Sequence, residues 1–379
     1  MAADELNKPL GLTTRRDARK RTPPLKLAGG GAIVIVALAA IAWWVFPAGH
    51  GPTATALITT PAPGASQIAP DRTGSIATAA ASAPTGSLSD VVPDGGLTDV
   101  GKVVIHDPSG PEPVVLASVP RDDLVENTAD GPLPQISKDG ARPLDVYARP
   151  SDVDPQAIRV AIVIGGIGID PDGTAQAITT LPGTVTLAFA PYGDGLAKEV
   201  AAARGAGHEI LLQIPLEPYN YPTVNPGPNT LTTSATAAEN IDRLHWLLGR
   251  ITDYVGVVNY MGARFTTDAD ALKPVVGEVG ARGLLYLDDG SSGASVAATV
   301  ATGGTPFLRA DVVLDADLSA DAIDARLSQL QAIARQRGYA IATGTAFPAT
   351  IDRVSAFAKG AATKGIVIVP VSALARNEQ

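Results

Sequence analysis

Short apolar segments alternate with alanine-rich segments of helical period from Ala157 onward. The apolar segments, rich in β-branched residues, are RVAIVI, TVTLAFA, HEILLQI, YVGVVNY, GLLYLDD, the weaker DVVLDA, GYAIAT and GIVIVP. Strands that are apolar on both faces and separated by helices form parallel sheets covered by helices. Seven or eight such units predict a closed or nearly closed (β/α)7–8 barrel, with an open doubly wound sheet as the alternative. Functional residues are expected where the strands end.

The first of these segments ends in a glycine-rich turn, RVAIVIGGIGID. Such a turn after a buried strand raises the possibility of a phosphate-binding loop. The dinucleotide pattern G-x-G-x-x-G fails here, because Gly166 and Gly168 are followed by Pro171 at the last position. The pattern G-x-x-x-x-G-K-[ST] is also absent from the sequence. A nucleotide site is therefore not predicted at this turn.

Composition excludes two further classes of function. The formal net charge of −9 argues against nucleic-acid binding, which needs a basic face to contact phosphate. The chain has no cysteine, so thiol catalysis, cysteine-based zinc sites and disulfides are excluded.

The N-terminal segments predict a membrane anchor. Residues 1–26 are basic, and Leu27–Phe46 contains no charged residue. A run of about 20 apolar residues can cross a bilayer as a helix, and Trp43 and Trp44 suit its interfacial end. The positive-inside rule then predicts a cytoplasmic N-terminus in the inner membrane and a periplasmic remainder. A cleaved secretory signal peptide is the alternative.

Residues 47–150 are predicted to be a linker, and residues 151–379 the barrel domain. The linker is dominated by Ala, Pro, Thr, Ser and Gly, a composition that buries too little apolar surface to order the chain. Two islands within it, KVVIHDPSG and GPLPQISKDGARPLDVYARP, contain residues that could pack on the barrel. The second island, which includes Tyr147, is the better candidate for packing.

The segments at the strand ends resemble the divergent polysaccharide deacetylases. The resemblance is carried by LPGTVTLAFAPYG, GHEILLQIPLEP, NPGPNTL, VGVVNYMGARFT, RGLLYLDD and GIVIVPVSAL, and it covers Ile158 to Leu374. It implies a distorted (β/α) barrel of the glycoside hydrolase/deacetylase type. It also implies a divalent metal, held by one Asp and two His, which polarises an acetyl group and the attacking water, with a second Asp as the base.

The chain departs from that pattern at the positions where the resemblance places metal ligands and their partners. None of the residues found there has a carboxylate or an imidazole, and they are Gly165, Gly166, Gln213, Tyr260 and Thr345. The glycine turn therefore resembles a vacated metal site, and we predict no metal ligand at these positions and assign no cofactor. An unusual site with oxygen ligands stays open, because Asp and Glu can bind Mg²⁺ or Ca²⁺.

The remaining candidates for chemistry are carboxylates and one arginine. Asp288 and Asp289 follow a buried strand, and successive strand residues point to opposite faces. Glu217 lies in a Pro-flanked apolar loop, where a raised pKa would suit an acid, and Arg264 could bind an acidic group with two hydrogen bonds. Structural roles are the alternatives: turn or cap bonds for the Asp pair, loop amides for Glu217, and a salt bridge for Arg264.

Four residues are expected to hold substrate: Gln213, Asn259, Tyr260 and Tyr219. Asn259 and Tyr260 offer an amide and a phenol at a strand end, which suits hydroxyl-rich ligands. For the loop PYNYP, which contains Tyr219, the alternative is that the loop packs on itself. His208 and His245 are predicted to be structural, and Asp170 is predicted to cap a helix that starts near Pro171.

These features predict a membrane-anchored periplasmic protein that acts on carbohydrate. If it is an enzyme, the resemblance implies removal of acetyl groups from an envelope polysaccharide or a peptidoglycan-like glycan. The alternative is a pseudoenzyme that binds glycan or protein in the retained cleft, and a structural role in the envelope is a third possibility. The sequence leaves enzymatic activity undecided.

Overall fold

The computed structural model describes residues 114–116, 120–154 and 156–375. The predicted basic tail and membrane helix and most of the predicted linker lie outside these residues, so those assignments stay predictions. Within the described residues, no helix is both long and apolar enough to span a bilayer.

Two short strands and a short helix precede the barrel. They are β1 (Val125–Thr128), β2 (Gly131–Pro134) and α1 (Pro143–Val146). The strands form an antiparallel hairpin. Leu133, Leu144 and Tyr147 are almost completely buried in the two apolar clusters of the domain. The second island of the predicted linker therefore packs on the domain through its apolar side chains.

The rest of the described chain alternates strands with helices, as the apolar pattern predicts. The strands are β3 (Ile158–Ile167), β4 (Thr186–Phe189), β5 (Ile210–Leu216), β6 (Gly256–Met261), β7 (Leu285–Asp288), β8 (Phe307–Arg309), β9 (Val312–Val313), β10 (Tyr339–Thr345) and β11 (Ile366–Ile368). The helices are α2 (Pro171–Thr180), α3 (Leu196–Gly205), α4 (Ala237–Leu248), α5 (Ala269–Ala281), α6 (Ala297–Val300), α7 (Ala320–Arg337), α8 (Pro348–Ala361) and α9 (Val371–Ala375). All eight predicted strands are present, and β8 is an additional one.

The parallel sheet curls until its two edges meet. Its hydrogen-bonded order is β8-β7-β6-β5-β4-β3-β10-β9. The two edge strands, β8 and β9, are separated in the chain only by Ala310 and Asp311. The amide of Ala310 donates to the carbonyl of Asp288 at one edge, and the amide of Asp311 donates to the carbonyl of Ile341 at the other. The predicted α/β barrel is thus confirmed as a curled parallel sheet, whose edges are joined by the chain rather than by paired strands.

A third strand next to β3 distorts the curl. β11 pairs with the first residues of β3, from Ile158 to Val160, whereas β4 pairs with its last residues, from Val163 to Ile167. The register between β3 and β4 also shifts between Ile164 and Ile167, where the glycine turn begins. The carboxyl end of β3 is therefore irregular at the position where the sequence breaks into glycines.

Alternation along the strands produces two apolar layers. Outward-facing residues such as Ile162 and Leu187 pack against the helices. Inward-facing residues such as Ala161, Ala188 and Leu211 fill the interior of the barrel. Because side chains alternate along a strand, the next inward positions toward each carboxyl end open at the mouth of the barrel.

Buried polar side chains hold the amino-terminal end of the barrel together. Glu209, fully buried, accepts hydrogen bonds from the amide of Arg149 (3.1 Å), from the hydroxyl of Thr186 (3.4 Å), and from both the amide (3.1 Å) and the hydroxyl of Ser372. The interior is closed beneath by α9, whose Leu374 belongs to the inner apolar layer. One carboxylate thus ties together four separate segments.

The two histidines of the barrel have structural partners, and the predicted cap is present. The ring nitrogens of His208 lie 2.8 Å and 3.2 Å from the carbonyl oxygens of Val185 and Ile178. His245 pairs with Glu278 at 2.7 Å. The carboxylate of Asp170 accepts a hydrogen bond from Gly173 at the start of α2, which confirms the predicted role of Asp170 as a helix cap.

Candidate functional site

A cavity of about 390 Å³ opens at the carboxyl ends of the strands. Its wall includes the terminal inward positions of successive strands, which follow from the period of two. These positions are Gly165 on β3, Gln213 on β5, Tyr260 on β6, Asp289 after β7, Asp315 after β9, and Thr343 and Thr345 on β10. The structure therefore gathers four of the five predicted vacated positions in one wall, and we call this cavity the polar lobe.

Gly165 and Gln213 fit together in the wall of the polar lobe. A Cβ atom added to Gly165 would lie 2.5 Å from Nε2 of Gln213, which is a severe steric overlap. The side-chain oxygen of Gln213 accepts a hydrogen bond of 2.8 Å from the amide of Gly166. Gly166 has φ +75°, a conformation that favours glycine. The Gln213 side chain thus occupies the space that a side chain at residue 165 would need.

A second cavity, of about 350 Å³, adjoins the first. Gln213, Tyr260 and Thr345 line both cavities, so these residues form the partition between them. The second cavity is mostly apolar, and we call it the apolar lobe. Its lining includes Ile169, Ala190, Pro191, Tyr192, Pro215, Pro226, Phe347 and Pro348. Ile169 (64% exposed) and Phe347 (43%) present apolar surface to solvent at its rim.

Asp289 is held in the polar lobe by its neighbours. Its Oδ1 accepts hydrogen bonds from the amide (2.9 Å) and the hydroxyl (2.7 Å) of Ser291. The side-chain oxygen of Asn259 accepts from the amide of Asp289 at 2.9 Å. Burial raises the pKa of the Asp289 carboxyl, while hydrogen bonds from Ser291 and Asn259 oppose the rise. Asn259, itself 2% exposed, therefore both positions Asp289 through its amide and opposes the rise in its pKa.

Asp288, next to Asp289, points to the other side of the sheet, as strand alternation predicts. It is 1% exposed and is not part of the lining of either lobe. Its Oδ1 accepts a hydrogen bond of 2.9 Å from the amide of Gly290, and its Oδ2 is buried without a hydrogen-bond partner. The structure therefore separates the predicted pair, with only Asp289 at the mouth.

Glu217 and Arg264 pair with each other beside the polar lobe. Their side chains are 3.1 Å apart, and Glu217 also accepts hydrogen bonds from the amide (2.6 Å) and hydroxyl (2.9 Å) of Thr233. Neither residue lines a lobe, and Tyr219, 62% exposed, does not line one either. These contacts match the structural alternatives for Glu217 and Arg264, and their catalytic roles stay predictions.

Asp315 is a residue of the site that the sequence analysis missed. Its Oδ2 accepts hydrogen bonds from the amide of Thr345 (2.6 Å) and the hydroxyl of Thr350 (3.0 Å), and it lines the polar lobe. The available signal was the weak strand DVVLDA, because Asp315 stands two residues after Val313 and shares its face. The apolar lobe was also missed, since its residues come from four separate loops.

The residues at the mouth do not fit the metal that the family resemblance implies. Among the described residues, no three His, Cys, Asp or Glu side chains come together in a way that could hold a metal ion. The polar lobe offers two carboxylates, Asp289 and Asp315, with amides and hydroxyls around them. The set of one Asp and two His is not assembled there.

Comparison with known proteins identifies a family and similar proteins. A family model described as divergent polysaccharide deacetylase matches residues 162–375. YibQ of Escherichia coli, an uncharacterized protein, is 25% identical over 194 residues, which cover 51% of this chain and 60% of YibQ. An uncharacterized protein of Haemophilus influenzae is 27% identical over 222 residues, which cover 58% of this chain and 78% of that protein. The matched part is thus less than two thirds of YibQ.

A solved structure extends the comparison to three dimensions. The crystal structure of uncharacterized protein ATU2773 from Agrobacterium tumefaciens C58 superposes with a TM-score of 0.63 at 47% sequence identity. The match covers 64% of this chain and 99% of that one. The curled sheet and its helices are therefore shared with an experimentally determined fold.

Proposed function

We propose that this chain, which belongs to the divergent polysaccharide deacetylase family, binds an envelope polysaccharide in the two-lobed cleft at the barrel mouth. The observation that carries the proposal is the pair of adjoining lobes with Tyr260 in the partition between them. Ligand sites in proteins are concave, of about 300–1,000 Å³, and mostly apolar with a few placed polar groups. Both lobes are in this range.

The chemistry of the lining suits a sugar. A sugar ring carries hydroxyl groups around its edge and C–H groups on its faces. The polar lobe offers Gln213, Ser291 and Thr345 as hydrogen-bond partners. Tyr260, 38% exposed, presents an amphipathic ring to both lobes. A chain of sugars can thus pass from one lobe to the other across Tyr260.

The described residues at the mouth support binding of the glycan without metal-dependent hydrolysis, because they do not assemble one Asp and two His. Hydrolysis of an acetyl group is the second candidate, and Asp289 favours it. A carboxyl in a cleft whose pKa is raised by desolvation, as for Asp289, is a common feature of acid–base catalysts. In that case, Gln213, Asn259 and Tyr260 would position the substrate.

We further propose that Leu27–Phe46 anchors the chain in the inner membrane, with the barrel in the periplasm. The support is the basic segment before an uncharged run of about 20 residues. Protease digestion of intact spheroplasts tests the orientation. Degradation of the barrel epitope in intact spheroplasts supports the proposal, and degradation only after lysis contradicts it.

Glycan binding is tested by titrating the full-length chain with soluble oligomers of N-acetylglucosamine and of glucosamine. Tyr260→Ala should weaken binding by about tenfold or more, or about 1.4 kcal/mol, because it removes the ring between the lobes. Tyr219→Ala is the matched control, since Tyr219 is more exposed and lines neither lobe. Equal losses in both variants would contradict the proposed site.

The second candidate is tested by metal content and activity. The chain is incubated with zinc, manganese or magnesium salts and desalted, and bound metal and release of acetate are measured. Stoichiometric metal together with acetate release that Asp289→Asn abolishes would establish hydrolysis. Binding of glycan without acetate release would support the first form of the proposal.

A further inference from the structure

The charges that line the cleft are all of one sign. Asp289 and Asp315 line the polar lobe and Asp170 lines the apolar lobe. Among the described residues, no lysine, arginine or histidine lines either lobe. The nearby Arg264 is paired with Glu217 outside the lining. A ligand in the polar lobe therefore meets carboxylates without a neutralising cation.

Both carboxylates retain capacity to accept hydrogen bonds. The bonds to Asp315 from Thr345 and Thr350 fall on Oδ2, and its Oδ1 has no hydrogen-bond partner among the described residues. The two bonds from Ser291 to Asp289 fall on its Oδ1. A carboxylate oxygen can accept more than one hydrogen bond. Both groups are therefore equipped to receive donors from a ligand.

We infer that the polar lobe selects a glycan with free, protonated amino groups, that is, a deacetylated amino sugar. The inference rests on the proposed function and names the class of polysaccharide for the same cleft. An ammonium group is a donor with three N–H bonds and no acceptor capacity, and its hydrogen bonds to carboxylates are charge-assisted. It complements a wall in which Asp289 and Asp315 are the charged groups.

The same wall disfavours two other classes of glycan. A uronic acid or a phosphorylated sugar would bring a negative charge next to two carboxylates, and like charges at an interface oppose binding. An N-acetylated sugar is neutral, so it forgoes the charge-assisted bonds to Asp289 and Asp315. The amino sugar is thus the class that the lobe favours most.

The first test compares two oligomers that differ only in acetylation. The full-length chain is titrated calorimetrically with the hexamers of glucosamine and of N-acetylglucosamine, at a mildly acidic pH and low ionic strength. We expect the glucosamine hexamer to bind at least tenfold more tightly, which is about 1.4 kcal/mol. Equal binding, or tighter binding of the acetylated hexamer, would overturn the inference and leave the proposed function standing. Absence of binding by both would reject the proposed function itself.

Variants then locate the selectivity. Asp289→Asn and Asp315→Asn should each reduce the preference for the glucosamine hexamer severalfold while binding of the acetylated hexamer changes little. Asp317→Asn is the matched control, because Asp317 is exposed on the loop that carries Asp315 and bonds to the amide of Ser319. A loss of preference in Asp317→Asn as large as in Asp315→Asn would overturn the inference. Thermal unfolding of each variant checks that it is folded. The comparison of the two hexamers in the native chain does not depend on the variants.

A peptide control separates sugar recognition from charge alone. Hexalysine carries six side-chain amines and a terminal amine without sugar rings. We expect it to bind at least tenfold more weakly than the glucosamine hexamer. If it binds as tightly, and loses affinity equally on Asp289→Asn, the lobe is a general site for cations and the inference is wrong.

Discussion

Each end of the barrel contains a carboxylate, fully buried Glu209 at one end and partly buried Asp289 at the other, and the two differ in what they connect. At the amino-terminal end, Glu209 accepts hydrogen bonds from Arg149, 60 residues away, and from Ser372, 163 residues away. At the mouth, the carboxylate of Asp289 accepts hydrogen bonds from the amide and the hydroxyl of Ser291, two residues away. The side chain of Glu209 links distant parts of the chain, whereas the carboxylate of Asp289 accepts hydrogen bonds mainly from the nearby Ser291 and faces a cavity. The contrast indicates that polar groups at one end serve stability and those at the other are available to a ligand.

The largest effect is expected from Glu209→Ala. It leaves several buried donors without an acceptor and should lower the free energy of unfolding by about 3–5 kcal/mol, because each unsatisfied buried group costs about 1–3 kcal/mol. Urea denaturation of the full-length chain measures the change. Asp289→Asn is the comparison at the mouth, and we expect a change below about 1 kcal/mol there, since an amide keeps the shape and relieves the burial of charge.

The contrast between the two ends would be wrong if Glu209→Ala and Asp289→Asn changed the free energy of unfolding equally. A loss of several kcal/mol in Asp289→Asn would show that the mouth also holds the fold together. A small loss in Glu209→Ala would show that the donors at the amino-terminal end find other partners, so that this end is less dependent on one carboxylate than its contacts indicate.

The next effect concerns the fit between Gly165 and Gln213. Gly165→Ala places a methyl group 2.5 Å from Nε2 of Gln213, and overpacking of this kind costs about 1–3 kcal/mol. Gln213→Ala removes the obstructing side chain together with its bond to Gly166. The double variant should therefore lose less stability than the sum of the two single variants, by about 0.5–3 kcal/mol of coupling.

A matched pair of glycine variants provides the control. Gly293→Ala adds the same methyl group near the mouth, where nothing lies within 4 Å of the new Cβ. It should show no coupling with Gln213→Ala. If Gly165→Ala couples no more strongly than Gly293→Ala, the Gln213 side chain moves freely and the fit is not specific.

Much of the fold follows from the sequence because the barrel strands are apolar on both faces. Each of the eight predicted segments contains a strand, and the alternation with helices predicts their parallel order. β8 was not predicted because it has only three residues and ends in Arg309, which breaks the apolar run. The closure through Ala310 and Asp311 depends on how far the sheet curls, and no local pattern encodes this.

Only those features of the site that depend on a single strand or on the family resemblance could be predicted from the sequence. Period-two alternation correctly separates Asp288 from Asp289, and the resemblance to the family placed Gly165, Gln213, Tyr260 and Thr345 at one mouth. The fit of Gln213 against Gly165 depends on the register of strands that are 48 residues apart, and the apolar lobe depends on the meeting of four loops. These are properties of the packed chain rather than of any segment.

The smallest expected effect is a difference in pH dependence. Burial raises the pKa of Asp289 above its unfolded value of 3.8, so over the interval between the two values the folded state binds more protons than the unfolded state. Stability then falls as pH rises through this interval. The free energy of unfolding of the native chain, relative to Asp289→Asn, should therefore decline from about pH 3.8 upward and become constant above the folded pKa.

Asp317 provides a control of opposite sign. Hydrogen bonds from the amide and side chain of Ser319 lower the pKa of Asp317 below 3.8, so its contribution to stability is present above that value and is lost as pH falls through the folded pKa. The native chain relative to Asp317→Asn should therefore gain stability as pH rises through the corresponding interval. Slopes of the same sign for the two carboxyls would mean that the hydrogen bonds from Ser291 and Asn259 outweigh burial, so that the fold favours the ionised form of Asp289. The mouth would then not oppose ionisation of Asp289, and Asp289 as well as Asp315 would be a carboxylate available to a cationic ligand.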